Sequence, residues 1–406
     1  MRTASILVRI WLLVVVGSMV SACGAEPAGP NLVIVLIDEL RKDSADQYMT
    51  GVNAAARRGI VVDEMRSAAP WTYPSVISLM SGLYPQQHGA DGHLHENTLS
   101  RIAPGVPLLQ RRLHDAGYST AAFITNPFLL DWNDFHVGFD TFDGSFVGTQ
   151  GNHWGDESVW SPETMFSNTV NPAVRRHFDA KPLDAPEFTY IHYIDVHGPW
   201  RGAPFRGTYA EAITYMDRKV MEIYDYFMRR YDGDLLFVVT SDHGRALGDD
   251  MSVGYGRRFR RQKHSVHDYN LRIPFAILPS AHVDHAVRVS GPASNIDVVP
   301  TLLEWLGIPD EVDRPGRSLL SSIRQGQPIA APRYLYARNS AFGQLNDAVL
   351  FGRYKVIRFF DIDSGALLEQ RRFDLEDDPR ETRAVPDDGA PTADDFRLMA
   401  GNHGLA

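Results

Sequence analysis

The chain has 406 residues, 44% of them apolar, a formal net charge of −10 at neutral pH and one cysteine. That length and apolar content suffice for one large core, or for a main domain with a smaller satellite, and exclude a disordered or fibrous protein. The lone cysteine excludes an internal disulfide and a cysteine-built metal site, and the acidic balance excludes a general attraction for nucleic acid.

The first residues read as a targeting signal: Arg2 and Arg9 precede an apolar run, 10–16, that is too short to span a membrane comfortably. Val20-Ser21-Ala22-Cys23 resembles a bacterial lipobox, which implies cleavage after Ala22, a lipid on Cys23 and a lipoprotein of the cell envelope. Gly24 stands where an inner-membrane retention aspartate would stand, so the same resemblance implies the outer membrane, facing periplasm or surface. The alternative is an ordinary secretory signal with an incidental cysteine. Loss of residues 1–22 removes Arg2 and Arg9 and takes the charge from −10 to −12.

Next comes NLVIVLID, residues 31–38, a continuous apolar run rich in β-branched residues and ended by acids, as in a buried parallel strand. APWTYPSVISLMSGLYPQQHG, 69–89, has the grammar of a helix start: Thr72 is expected as N-cap, with Pro74 in the first turn. A helix is expected from Leu108 to about Ala116, stopped by Gly117 and followed by a strand. Residues 140–184 are poorer in pattern and suit a long surface excursion near the mouth of a site. FTYIHYIDVHG reads as another strand, YAEAITYMDRKVMEIYDYFMRRY as a helix, and DLLFVVTSDHG as a second apolar strand ending in a carboxylate. GRRFRRQKH, 256–264, is a basic patch in an acidic molecule, either a solvated loop or a local anion attractor. IPFAILP and NIDVVPTLLEWLGIP add a strand and a helix, and short strands after Pro332 suggest a small antiparallel satellite. The repeated alternation argues for an α/β fold around a mostly parallel sheet, in which functional groups collect beyond the carboxyl ends of the strands. Asp38 and Glu39 at one strand end and Asp242 and His243 at another therefore point to one shared site. Together with Thr72 they offer hard oxygens and an imidazole, a set that suits calcium, magnesium, manganese or zinc. Such a cation would also activate the Thr72 hydroxyl as a nucleophile.

In this order, NLVIVLIDELRKD, APWTYPSVISLMSGLYPQQHG, HYIDVHGPW, VVTSDHGRALGD, KHSVHDYNLRIP, NIDVVPTLLEWLGIP and GRYKVIRFFD with FDLEDDPRET resemble the sulfatase branch of the alkaline phosphatase superfamily over nearly the whole mature chain. The resemblance implies a mixed, mostly parallel sheet between helices, spanning residues 31–330 after a linker, 23–30. It also implies a small antiparallel subdomain, 331–385, and a loose tail, 386–406, follows. Carried over residue by residue, it implies Asp38, Glu39, Thr72, Asp242 and His243 as metal ligands, although the family usually has aspartate at Glu39. It implies Thr72, His197 and Lys263 as catalytic groups, with His264 and His267 as alternatives in the same loop, and Asp195, His264 and His267 as a possible second metal or substrate site. A sulfatase needs Cys or Ser followed by x-Pro-x-Arg to make formylglycine. Here Thr72-Tyr73-Pro74-Ser75-Val76 lacks the arginine, and a threonine would oxidise to a ketone. No formylglycine is expected. The family's Gly-Lys-Trp-x-x-Gly element is replaced by AAFITNPFL. A metal-activated threonine is implied instead for a phosphoester or phosphonate substrate, with a sulfuric ester, or an inactive anion-binding lipoprotein, as alternatives.

Overall fold

A computed structural model describes residues 29–92, 99–147, 164–198, 203–205, 207–249, 264–330, 333–387, 389 and 391. The strands are β1 (Asn31–Ile37), β2 (Ile60–Arg66), β3 (Ser119–Phe123), β4 (Thr141–Asp143), β5 (Glu187–Tyr193), β6 (Leu235–Thr240), β7 (Phe275–Leu278), β8 (Val287–Ser294), β9 (Tyr334–Asn339), β10 (Leu345–Phe351), β11 (Tyr354–Phe360) and β12 (Leu367–Asp374). The helices are α1 (Lys42–Tyr48), α2 (Thr50–Ala56), α3 (Thr72–Ser81), α4 (Pro85–His88), α5 (Leu109–Asp115), α6 (Ser167–Asp179), α7 (Tyr209–Arg230), α8 (Asp268–Leu271), α9 (Val298–Trp305) and α10 (Leu320–Gln325).

Eight strands form one sheet in the order β4-β3-β5-β1-β6-β7-β2-β8. All neighbours in it are parallel except β7, which runs antiparallel to both β6 and β2. β1 lies inside the sheet and is buried along its whole length, which is why its sequence is apolar throughout. Successive side chains leave its two faces alternately. Leu32, Ile34 and Leu36 join a core with α3, α5 and α9, while Val33, Val35 and Ile37 join a second core with α6 and α7. The mixed, helix-covered sheet expected from the sequence is therefore present, with β7 as its one reversed strand.

The stretch 140–184 differs from expectation. It contains edge strand β4 and the thirteen-residue helix α6, whose Val170, Val174 and Phe178 are buried in the second core. Its apolar residues sit at helical spacing, but the surrounding Asn, Thr and His positions mask the pattern.

The remaining strands form an antiparallel sheet, β12-β11-β10-β9, as the satellite reading required. It is fastened to the main body by apolar contacts, Tyr336, Val349 and Val356 with Ala68 and Tyr84, and by a buried ion cluster. Lys355, 1% exposed, lies 2.7 Å from both Asp268 and Glu381, and Arg66 of β2 lies 2.8 Å from Asp268. Against the upward pull of burial, Arg66 and Lys355 hold the Asp268 carboxyl well below the usual range.

Candidate active site and metal centre

β1 and β6 are parallel neighbours with Leu36 opposite Thr240, so the two residues beyond each pair come out side by side: Asp38 and Asp242. Each leaves the sheet at its carboxyl end, where a turn frees the side chain from the strand ladder. Asp38, Asp242 and His243 each offer one ligand atom within 4.8 Å of the other two, and His243 Nε2 lies 3.8 Å from Asp38 Oδ1 and 3.5 Å from Asp242 Oδ2. His243 Nδ1 lies 2.7 Å from the carbonyl of Gly244, which fixes a hydrogen on Nδ1 and turns the Nε2 lone pair towards the carboxylates. Both carboxylates are wholly buried, and neither Asp38 Oδ1 nor Asp242 Oδ2 has a hydrogen-bond partner. Buried carboxylate oxygens without donors are costly, and a divalent cation removes that cost. The donor set thus fits such a cation.

Burial pushes the Asp242 carboxyl up to about 7, against hydrogen bonds from the N–H groups of His243 and Glu39. Burial, with the charge of Asp242 beside it, also raises Asp38 well above the usual carboxylate value.

Thr72 opens α3, but not as its cap. Trp71 is the capping residue and no side chain caps the end; the Thr72 hydroxyl instead lies 3.4 Å from Asp38 Oδ2 and 3.4 Å from His243 Nε2. The expected cap is corrected: Thr72 sits one position inside the helix, and its hydroxyl meets the Asp38 carboxylate and the His243 imidazole instead of capping a backbone N–H. α3 is held against the site by Ser75, whose hydroxyl donates to the Asp242 carbonyl at 2.6 Å, and by Asn295, which donates to the Ser75 carbonyl at 3.1 Å. The helix ends at Gly82, φ 71°, a left-handed position that glycine takes without strain.

Glu39 departs from the expected ligand role. It holds φ 58°, unusual for a residue with a side chain, and in that conformation its N–H donates to Asp242 Oδ1 at 3.1 Å. Its carboxylate meets Arg245 at 2.6 Å and faces His197 Nε2 at 3.4 Å, outside the three-residue group. The carboxylate of this longer side chain thus meets the Arg245 guanidinium and the His197 imidazole. His197, expected as a catalytic group, stands beside Glu39 with 17% of its side chain exposed.

Asp195, His264 and His267 are not brought into one ligand set among the described residues. Asp195 is spent on α6, accepting from the Ser167 N–H at 3.1 Å and from its hydroxyl at 2.6 Å. His267 stacks on Tyr269 with its Nδ1 2.8 Å from the Ser265 hydroxyl, and burial holds its imidazole far below its usual pKa. His264 stacks on Phe342, ring centroids 3.9 Å apart. Lys263, most of the basic patch and Cys23 lie outside the described residues.

Three nearby residues escaped sequence reasoning: Asn126, His192 and Arg245. Asn126 Nδ2 donates to Asp38 Oδ2 at 2.8 Å, and His192 Nε2 lies 3.6 Å from the same oxygen. The only signals were an asparagine just past the end of a strand, a histidine inside an apolar strand and an arginine two residues after His243.

A family model described as Sulfatase matches residues 30–308. The chain is 30% identical over 207 residues to the multifunctional alkaline phosphatase superfamily protein PehA of Trinickia caryophylli, a match covering 46% of this chain and 37% of that protein. A structure solved in complex with its substrate D-glucosamine-2-N,6-O-disulfate shares the fold with a TM-score of 0.70, at 14% identity over 93% of this chain and 97% of that one. The phosphonate monoester hydrolase of Agrobacterium radiobacter gives a TM-score of 0.64, at 17% identity over 93% and 94%.

Proposed function

The chain belongs to the sulfatase family, and from that premise we propose that it is a metal-dependent hydrolase or transferase of phosphoesters, phosphodiester or phosphonate, in which Thr72 is the nucleophile. The observation that carries the reading is the Thr72 hydroxyl, 4% exposed and 3.4 Å from both Asp38 Oδ2 and His243 Nε2. Val76 stands where formylglycine formation needs arginine, so the threonine acts as itself.

Asp38, Asp242 and His243 would hold the divalent cation, which when bound lowers the pKa of a neighbouring hydroxyl and offsets charge on the ester oxygens. Thr72 Oγ attacks phosphorus, the bond from phosphorus to the leaving alcohol breaks, and a covalent phosphothreonine forms that water or an acceptor alcohol then releases. The N-terminus of α3 favours the negative oxygen at Thr72. His197 and Lys263 are assigned to the developing charge on the transferred group or its leaving oxygen. Cleavage of a sulfuric ester by the same threonine is the second reading, favoured by the family match and by the solved relative bound to a sulfated sugar.

The test is release of a chromogenic alcohol from matched phosphodiester, phosphomonoester and sulfate esters, with and without chelator. Phosphoesters are expected to be cleaved faster than sulfate, and Thr72→Ala is expected to lose about 10³-fold or more in turnover. Sulfate cleaved far faster than phosphate contradicts the choice of ester. Absence of turnover with every divalent metal favours an anion-binding protein.

We also propose that Cys23 carries the lipid that fixes the mature protein to the bacterial outer membrane. Among the described residues no helix is long and apolar enough to cross a membrane. Radioactive lipid precursor is expected to label the wild type and not Cys23→Ser; an unlabelled wild type removes the anchor.

A further inference from the structure

We infer that Asn126 is a positioning residue for the cation site: it holds one oxygen of Asp38 so that the other faces the centre. The inference rests on the cation reading of Asp38, Asp242 and His243.

The Asn126 amide has one possible orientation. Its Oδ1 accepts the backbone N–H of Phe128 at 2.9 Å, capping the short turn Pro127–Leu129, which places the NH₂ group on the other side. That NH₂ donates to Asp38 Oδ2 at 2.8 Å, and Asn126 is 1% exposed. The turn is itself pinned, because Asn133 Nδ2 donates to the Phe128 carbonyl at 2.7 Å and Trp132 Nε1 donates to the Pro127 carbonyl at 3.3 Å. The donor is therefore rigid before any cation arrives.

The same segment sets the wall behind Asp38. Thr125 donates to the His192 carbonyl at 2.8 Å and lies 3.3 Å from His192 Nδ1. His192, wholly buried, then stands with Nε2 3.6 Å from Asp38 Oδ2, and that Nε2 has no hydrogen-bond partner. Oδ2 is thus held by Asn126 at 2.8 Å, backed by an imidazole and met by the Thr72 hydroxyl at a longer 3.4 Å, while Oδ1 has no donor and lies 3.8 Å from His243 Nε2. A freely turning carboxylate would tilt its plane away from the centre; the Asn126 hydrogen bond restrains that turn, so that one oxygen stays aimed at the cation ligands.

The experiment compares Asn126→Ser and Asn126→Ala in the full mature chain, titrated calorimetrically with Mn²⁺ alone. Serine replaces asparagine as a cap but is too short to reach Asp38, so it separates the two hydrogen bonds. Both variants are expected to bind Mn²⁺ about 10–100-fold more weakly than wild type, with the metal-free Asn126→Ser melting near the wild-type temperature. If Asn126→Ser binds like wild type and only Asn126→Ala is impaired, the residue is a cap and the inference fails. An Asn126→Ser that does not fold assigns the residue to the framework and overturns it equally. Asp242→Asn separates this failure from the larger one: Mn²⁺ affinity unchanged in that variant removes the cation site itself.

Discussion

Asp38 and Asp242 are two acids in a dry place, and their chemistry dictates how the protein responds to pH and metal. A carboxyl whose pKa is higher folded than unfolded binds more protons in the folded state, so stability falls as pH rises between the two values and stays low above them. For Asp242 that window runs from the ordinary value of 3.8 to about 7, with burial as the main cause. The chelated protein is expected to lose thermal stability across this window relative to Asp242→Asn, and a divalent cation is expected to restore it most strongly at and above neutral pH. Melting temperatures of the two proteins against pH, with chelator and with Mn²⁺, check this; parallel curves in chelator contradict it. At this scale the sequence disclosed the acids because they end apolar runs, and His243 because it adjoins one of them. It misplaced the Thr72 hydroxyl as a cap, since local grammar does not register carboxylates 34 and 170 positions away. Asn126 was hidden for the same reason.

Turns beyond the strands decide where those side chains point. The β1 exit is fixed by Glu39 at positive φ, a strained residue held by Asp242 through its N–H and by Tyr209, whose hydroxyl donates to the Glu39 carbonyl at 2.6 Å. Its carboxylate, 1% exposed, pairs with Arg245 from the β6 exit, so one ion pair ties the two strand ends together. Arg245→Ala is expected to cost about 2–3 kcal/mol, less than a fully buried pair because the arginine is partly solvated. The double change Glu39→Gln with Arg245→Ala is expected to recover much of that loss, because no unpaired charge remains. Denaturant midpoints of the two single variants and the double provide the cycle. Simple addition of the two single effects contradicts the pairing. Glu39 read from sequence as a ligand because it follows Asp38; its backbone conformation, invisible in the sequence, turns it to Arg245. Strand β7 shows the same limit, since IPFAILP marks a strand but not its direction.

Across the whole molecule, β1 lies between two cores and carries Asp38 out at its end, while α3 lies within one core and presents Thr72 to that end. The long apolar runs of β1 and β6 made this centre legible, because only a strand covered on both faces needs to be apolar throughout. The joining of the second sheet was not legible, since Lys355, Asp268, Glu381 and Arg66 are charged residues that sequence alone assigns to the surface. The central claim, that Thr72 itself becomes covalently modified, is tested most directly by acid-quenching the protein during turnover of a phosphodiester and weighing its peptides. The expected result is an adduct on the peptide containing Thr72, equal in mass to the substrate less its leaving alcohol, and absent from Thr72→Ala. Turnover without any adduct in rapid-quench samples, or an adduct that persists in Thr72→Ala, contradicts it.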